Sequence, residues 1–323
     1  MPKILHTARY VGLPLEILQK ACPNGFSVKT LDELSYDQLV KEAVDADYFL
    51  VSGRLPIDKT VLDAAKNLKM IQRTGVGTDM LDKEEIKKRG IPVYVNAGVN
   101  SRSVAEHTLM LILATLKRLP QINKQLHEGI WKKQASGVST SELYGKIVGI
   151  VGMGHVGQLV AAMLKPFGAH VIYTDVVRRS EAEENDLGLT YCNSFTELLP
   201  QVDILSLHCP MVTENLEALN STTIAMMKKG SIIINTARGK LINPDALYDA
   251  VKSGHIRAAA LDTHYEEPIK EGYKLAGLDN VILTPHIGGL SHEAFEAMMV
   301  GAMENIEAFE QGRLSGIEGK RIL

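Results

Sequence analysis

Three ionisable residues of this 323-residue chain stand just beyond apolar runs. Arg238 follows SIIINTA, Glu267 lies past AAALDT in DTHYEEP, and His286 follows NVILTP. An arginine, a carboxylate and an imidazole together are what reduction of a 2-oxo acid requires. The guanidinium forks onto the acid's carboxylate and polarises its oxo group. The imidazole gives a proton to the carbonyl oxygen as a hydride arrives from the other side. The second carboxylate hydrogen-bonds the imidazole, orients it and favours its charged form.

A hydride donor is implied by a second pattern, KIVGIVGMGHVGQLVAAMLKPFGAHVIYTD. The run Ile147–Val151 enters Gly152-x-Gly154-x-x-Gly157, and Val156, Leu159, Val160, Met163, Leu164 and Phe167 then recur on one helical face. Gly152 allows the tight turn, Gly154 the approach of a pyrophosphate, and Gly157 close packing of helix on strand. The helix N-terminus presents free N–H groups and a positive dipole end to the phosphates. Asp175 closes the next strand at the distance where a carboxylate accepts the ribose hydroxyls. A 2′-phosphate beside it meets like charge, so NAD is favoured over NADP. Arg178 and Arg179, just beyond, read as solvated loop residues rather than partners of such a phosphate.

These groups need a scaffold that brings strand ends to one rim. The chain supplies two series of short apolar runs alternating with helical patterns, the signature of parallel sheets covered by helices. The first series has strands at 3–7, 48–52, 70–74 and 93–96, and helices at 15–21, 58–67 and 82–89. The second has strands at 147–151, 170–175, 204–208, 232–236, 258–262 and 281–284. Asn243 and Pro244 open a helix that runs to Lys252 and stops at Gly254, and a last helix runs from Ser291 to Gln311. Between the series, Ser103 and Glu106 read as a capping box before the apolar TLMLILATL, a helix expected to be buried. The polar stretch 132–141 breaks that pattern. The architecture expected is α/β, two doubly wound parallel-sheet domains.

Composition narrows the partners. Lys plus Arg number 35 and Asp plus Glu 38, a net charge of −3 that exerts no global pull toward nucleic acid or anionic lipid. No apolar run reaches the ~18 residues of a membrane helix, and the first residues lack a signal-peptide core. Three cysteines, Cys22, Cys192 and Cys209, show neither disulfide nor zinc spacing. Reduced thiols in a cytoplasmic protein without a metal are expected.

The motifs GVGTDMLD (75–82), NSRSVAEHT (100–108), GIW (129–131), ELYGKIVGIVGMGHVG (142–157), LHCP (207–210), NTARGKLIN (235–243), LDTHYEEP (261–268) and TPHIGG (284–289) run through the chain in that order. With them the whole length resembles the D-isomer-specific 2-hydroxyacid dehydrogenase family, which includes D-3-phosphoglycerate dehydrogenases, glyoxylate/hydroxypyruvate reductases and D-lactate dehydrogenases. The resemblance implies a Rossmann NAD-binding domain at 102–289, inserted into a flavodoxin-like substrate domain at 1–101 plus 290–323, hinged near residues 100 and 290. It implies that Arg238 binds and polarises a 2-oxo or 2-hydroxy acid, that His286 is the acid/base, and that Glu267 is its partner. By the same likeness His155 and Val156 meet the pyrophosphate, although His155 by itself reads as a solvated loop residue. Cys209 and Pro210 flank the adenine side. Thr236, Ala237, Asp262, Gly288 and Gly289 line the nicotinamide end, and Ser103 touches the cofactor. The N–H groups of Val76 and Gly77 cradle the substrate carboxylate. The region of Trp131 resembles the family's dimer contact, which implies a homodimer. Thr263 and His264 depart from the family's Val-Phe pair, and His264 is expected to be supporting or solvent-facing.

Two rival readings stand beside a D-2-hydroxy acid dehydrogenase. Formate oxidation occurs on this scaffold, but there the resemblance implies a Gln in place of Glu267. A dinucleotide-sensing, corepressor-like module would bind NADH with negligible turnover. The 323 residues leave no room for the extra C-terminal regulatory domain of some phosphoglycerate dehydrogenases, so feedback through one is not expected. Within VSGRLPI, Arg54 reads either as a solvated loop arginine or as a group that meets a phosphate or second carboxylate on the substrate. On the second reading Arg54→Ala should raise KM about tenfold for phosphorylated or dicarboxylic 2-oxo acids, the scale of one charge-assisted hydrogen bond. An equal rise for glyoxylate in steady-state kinetics would refute that placement.

Overall fold

The computed structural model describes residues 1–52 and 55–323, so Arg54 lies outside the described residues. The chain forms two compact units, Met1–Asn100 with Leu290–Leu323 and Ser101–Gly289. In the first, strands β1 (Lys3–His6), β2 (Ser27–Thr30), β3 (Tyr48–Val51), β4 (Met70–Arg73) and β5 (Val93–Tyr94) form a wholly parallel sheet in the order β2-β1-β3-β4-β5. This is the flavodoxin-like order. Strand β3 shows why it is covered on both sides. Tyr48 and Leu50 pack with Met298, Met299, Met303 and Ile306 of the terminal helix His292–Glu310, while Phe49 and Val51 pack with Val61, Leu62 and Ile86. Along β5 the C-terminal residues add antiparallel bonds, Ile322 N–H to Val93 O and Val95 N–H to Lys320 O, which shield that edge.

The second unit carries β6 (Ile147–Val151), β7 (His170–Thr174), β8 (Leu189–Tyr191), β9 (Ile204–Leu207), β10 (Ser231–Asn235), β11 (Ile256–Leu261) and β12 (Val281–Leu283). Their order, β12-β11-β10-β9-β6-β7-β8, is the doubly wound Rossmann arrangement, all parallel and extended by one strand. The chain reverses direction of winding between β6 and β9, the switch point outside whose strand ends ligands bind in sheets of this kind. The helix Ser101–Leu116 packs on one face through Leu111, Ile112 and Leu116, against Val160, Leu164, Ile232 and Ile234. It starts two residues before the expected capping box. Ser103 is therefore inside the first turn, and its Oγ donates to Gly288 O at 2.7 Å instead of capping. The helix is not buried all round either, since Met110 is exposed.

Other expected boundaries are off by one to three residues. Asp58 caps Lys59–Ala64 by accepting from the Thr60 and Val61 amides, and Asn243 caps Pro244–Lys252 by accepting from Ala246 N–H. Elements without a counterpart in the sequence pattern include edge strands β2 and β8, the helices Tyr36–Ala43 and Leu119–His127, and the helix Lys133–Val138 inside the polar stretch.

Close packing of the helix His155–Leu164 on β6 depends on Gly157, where a Cβ would stand 2.1 Å from Gly152 O. Backbone cannot yield as a flexible side chain would. Gly157→Ala should therefore destabilise the unit by about 3 kcal/mol, lowering its Tm by roughly 6–12 °C. Differential scanning calorimetry checks this, and an unchanged Tm would contradict the packing argument.

Candidate active site

The dinucleotide cradle begins where β6 ends. Gly152 has φ +95° and donates its N–H to Thr174 O; a Cβ there would meet the Cys209 backbone at 2.6 Å. Protein contacts thus account for Gly152 and Gly157. Gly154 differs, because a Cβ on it would meet nothing within 4 Å. The fold does not demand a glycine there, whereas a phosphate lying against the backbone does. Gly154 is the N-cap of the His155–Leu164 helix, so open amides and the dipole end face the same space. His155 is exposed and Val156 half-buried. Asp175, just past β7, accepts from Met153 N–H at 2.5 Å and Val177 N–H at 3.0 Å, which ties the glycine loop to the strand end. The residues present therefore fit a dinucleotide.

Arg178 is solvent-exposed, as expected of a loop arginine, but it is also ion-paired. Its Nε and Nη2 form a fork on Glu184 at 2.9 and 2.8 Å, and its guanidinium lies 5.1 Å from the Tyr191 ring centre. On the other side of the crevice, burial pushes the Cys209 thiol up to about 11, so it is no thiolate nucleophile. Pro210 O accepts from Asn215 Nδ2.

Strands β10, β11 and β12 are neighbours, so their following loops leave the sheet side by side. Arg238 follows β10, half-buried, and its Nη1 donates to Ala237 O at 2.7 Å. The next residue, Gly239, packs so closely on the His264 carbonyl and Tyr265 N that a Cβ would stand 1.9 Å from the former. This contact joins the Arg238 loop to the loop holding Glu267. Glu267 Oε1 accepts from His264 N–H at 2.9 Å, and Oε2 lies 2.7 Å from His286 Nδ1. Burial favours the protonated carboxyl, but the His286 and His264 bonds win and hold Glu267 below the usual glutamate range. His286 itself is half-exposed and has φ +57°, a left-handed backbone unusual for a side-chain-bearing residue.

Asp262 maintains that backbone. It directly follows β11, only 1% exposed, and it accepts from Thr284 Oγ1 at 2.6 Å, Ile287 N–H at 2.9 Å and Gly288 N–H at 2.8 Å. The two amides flank His286 on its C-terminal side. Burial works against ionisation of Asp262, but these bonds and His107 together hold it at about 2. Thr236, 9% exposed, shares a 2.9 Å hydrogen bond with Thr108, and Ala237 N–H donates to Asn235 Oδ1. His264 is buried rather than solvent-facing: its Nε2 meets Thr284 O at 2.9 Å. Gly288 leaves its space to the Asp262 carboxylate and the His107 ring, and Gly289 follows it.

His107 was missed by sequence reasoning. Its Nε2 lies 3.1 Å from Thr284 Oγ1 and 3.4 Å from Asp262 Oδ1. Its only signal was position, one turn after Ser103 on the same helix. In the first unit, Arg73 was also missed. It is 7% exposed, donates from Nη1 to Val51 O at 2.7 Å and from Nε to Gly77 O, and so fixes the loop of Val76 and Gly77. Among the described residues no acceptor takes the amides of Val76 or Gly77. No cluster of three metal-ligating side chains and no helix long and apolar enough to cross a membrane occurs among the described residues.

Fold and loop define a dinucleotide-binding α/β protein with an ionisable triad at the strand ends. Residues 109–288 match the NAD binding domain of the D-isomer specific 2-hydroxyacid dehydrogenases. The chain belongs to that family. It is 38% identical to a D-3-phosphoglycerate dehydrogenase of Methanocaldococcus jannaschii over 89% of this chain and 54% of that one. It is 37% identical to a hydroxypyruvate reductase of Thermotoga maritima over 86% and 89%. The chain spans about half the length of the phosphoglycerate dehydrogenases it matches. A D-lactate dehydrogenase structure from Aquifex aeolicus, complexed with NAD and lactic acid, is 30% identical and superposes with a TM-score of 0.88 over 99% of this chain and 98% of that one.

The Asp262 carboxylate should contribute to stability above its unfolded value of 3.8 and lose that contribution as pH falls through about 2. The shift corresponds to about 2 kcal/mol. Asp262→Asn should unfold at lower urea concentration at pH 7, and its gap to the wild type should narrow below about pH 4. A gap independent of pH would refute the ionised, hydrogen-bonded carboxylate.

Proposed function

We propose that this protein is an NAD-dependent oxidoreductase that interconverts a small D-2-hydroxy acid and its 2-oxo acid, of the hydroxypyruvate, glyoxylate, pyruvate or 3-phosphoglycerate type. The observation that carries the reading is the 2.7 Å His286–Glu267 pair on the loops beside the one bearing Arg238. NAD(H), when bound, supplies or takes up the hydride at its nicotinamide. Arg238 binds the acid and polarises the oxo group. His286 gives the proton to the nascent hydroxyl oxygen from Nε2, since Nδ1 faces Glu267. In the oxidative direction the same nitrogen takes it back. Glu267 holds the ring in that orientation and stabilises it when protonated. The open amides of Val76 and Gly77 suit the substrate's carboxylate.

The remaining candidate residues support the cofactor. Gly152, Gly154, His155, Val156 and Gly157 take the pyrophosphate, Asp175 the adenosine ribose, and Cys209 and Pro210 the adenine side. Thr236, Ala237, Gly288 and Gly289 line the nicotinamide end, where Asp262 and Ser103 act by holding the Ile287–Gly288 backbone. Homodimerisation is supported by Trp131, which is 76% exposed, and by exposed Leu119, Leu126 and Val138 nearby in sequence. A cytoplasmic setting is supported by cysteines that form no disulfide.

A panel of 2-oxo acids and formate, tested with NADH, NADPH and their oxidised forms, should show NADH oxidation with at least one 2-oxo acid and no reduction of NAD⁺ by formate. NADH binding without turnover would favour the sensing module instead. His286→Ala should lower kcat by about 10²–10⁴ while leaving NADH affinity within a few-fold. An unchanged kcat would remove His286 from the proton transfer.

A further inference from the structure

The end of β7 carries charges that the proposed reaction does not use. Asp175 bridges the glycine loop and its own loop, accepting from the Met153 amide through Oδ2 and the Val177 amide through Oδ1, and Arg178 follows Val177 on that loop. An arginine there is the usual means of accepting a 2′-phosphate. In this protein it points to Glu184 instead. Both guanidinium bonds, at 2.9 and 2.8 Å, go to that carboxylate. Glu184 is in turn 8% exposed and braced by Tyr173, whose hydroxyl donates to Oε1 at 2.7 Å and accepts from Arg179 N–H at 2.8 Å. Tyr191 completes the assembly, with its ring 5.3 Å from that of Tyr173 and under the Arg178 guanidinium.

We infer that Glu184, braced by Tyr173, is a specificity-determining residue that sequesters Arg178 and so keeps the ribose subsite selective for the unphosphorylated dinucleotide. The inference rests on the dinucleotide reading of the cradle and deepens it. Asp175 excludes a 2′-phosphate by direct repulsion. Glu184 excludes it indirectly, by occupying both arms of the Arg178 guanidinium that would otherwise neutralise it. Neutralising Glu184 should free Arg178 and turn the same loop into a phosphate acceptor, with no new cation introduced.

The test measures binding of 5′-AMP, 2′,5′-ADP, NADH and NADPH by calorimetry and reduced-nicotinamide fluorescence to full-length wild type, Glu184→Gln, Asp175→Ser and the double variant. Thermal unfolding with Tyr173→Phe as a milder companion controls for folding. Wild type should prefer 5′-AMP and NADH. Relative to Asp175→Ser, the double variant should gain about tenfold or more for 2′,5′-ADP and NADPH, the scale of charge-assisted hydrogen bonds. Tyr173→Phe should give a smaller gain in the same direction. Adding Arg178→Ala should abolish the gain. Wild type that binds neither 5′-AMP nor NADH would overturn the dinucleotide reading and the inference with it. Normal NADH binding with no gain in the double variant, or a gain that survives Arg178→Ala, would overturn the role of Glu184 alone.

Discussion

A carboxylate with 1% exposure at the end of β11 is tolerable only because donors surround it. Asp262 satisfies that condition by drawing in two backbone amides from the loop after β12 and the Thr284 hydroxyl. The geometry of the candidate site follows from it. With Ile287 and Gly288 held, His286 takes up its left-handed backbone, and its ring meets Glu267. Glu267 is fixed by the His264 amide, and the His264 ring secures the Thr284 carbonyl. The His286 conformation is thus held by two hydrogen-bonded loops, as a left-handed backbone at a side-chain-bearing residue requires.

The sheet explains why three distant segments can do this. Parallel strands buried on both faces end at one edge, so residues that follow β10, β11 and β12 are neighbours whatever their separation in the chain. Gly239 brings the first of those loops against the second at a distance that admits no side chain. The glycine cradle sits at the point where the strand order reverses, beside β9. There Cys209 offers its backbone to Gly152 while burial keeps its thiol protonated.

Electrostatic commitment also governs what the rim excludes. Glu184 lies below the usual carboxylate range, at about 2, because Arg178 and Tyr173 both bond to it. A pair of opposite charges so joined exerts little field on a ligand, although each residue alone would attract or repel a phosphate. The same pair read in isolation from sequence is two solvated charges, one on each side of a helix start.

Much of the fold was legible because two-sided burial writes itself as continuous apolar runs, as in IVGIV of β6, SIIIN of β10 and YFLV of β3. Caps such as Asp58 and Asn243 were legible because capping is a local bond. Strands β2 and β8 were not, since an edge strand faces solvent and SVKT and LTY carry mixed polarity. Residue types and their order by themselves determined the dinucleotide loop, Asp175, and the arginine, glutamate and histidine after three strands. Only the tertiary structure decided that Ser103 bonds Gly288 across 185 residues, that His107 and Asp262 brace the His286 loop, and that Arg178 belongs to Glu184. Those facts depend on which strand lies beside which, and on the balance between burying a charge and bonding it, neither of which a linear pattern of residue types contains.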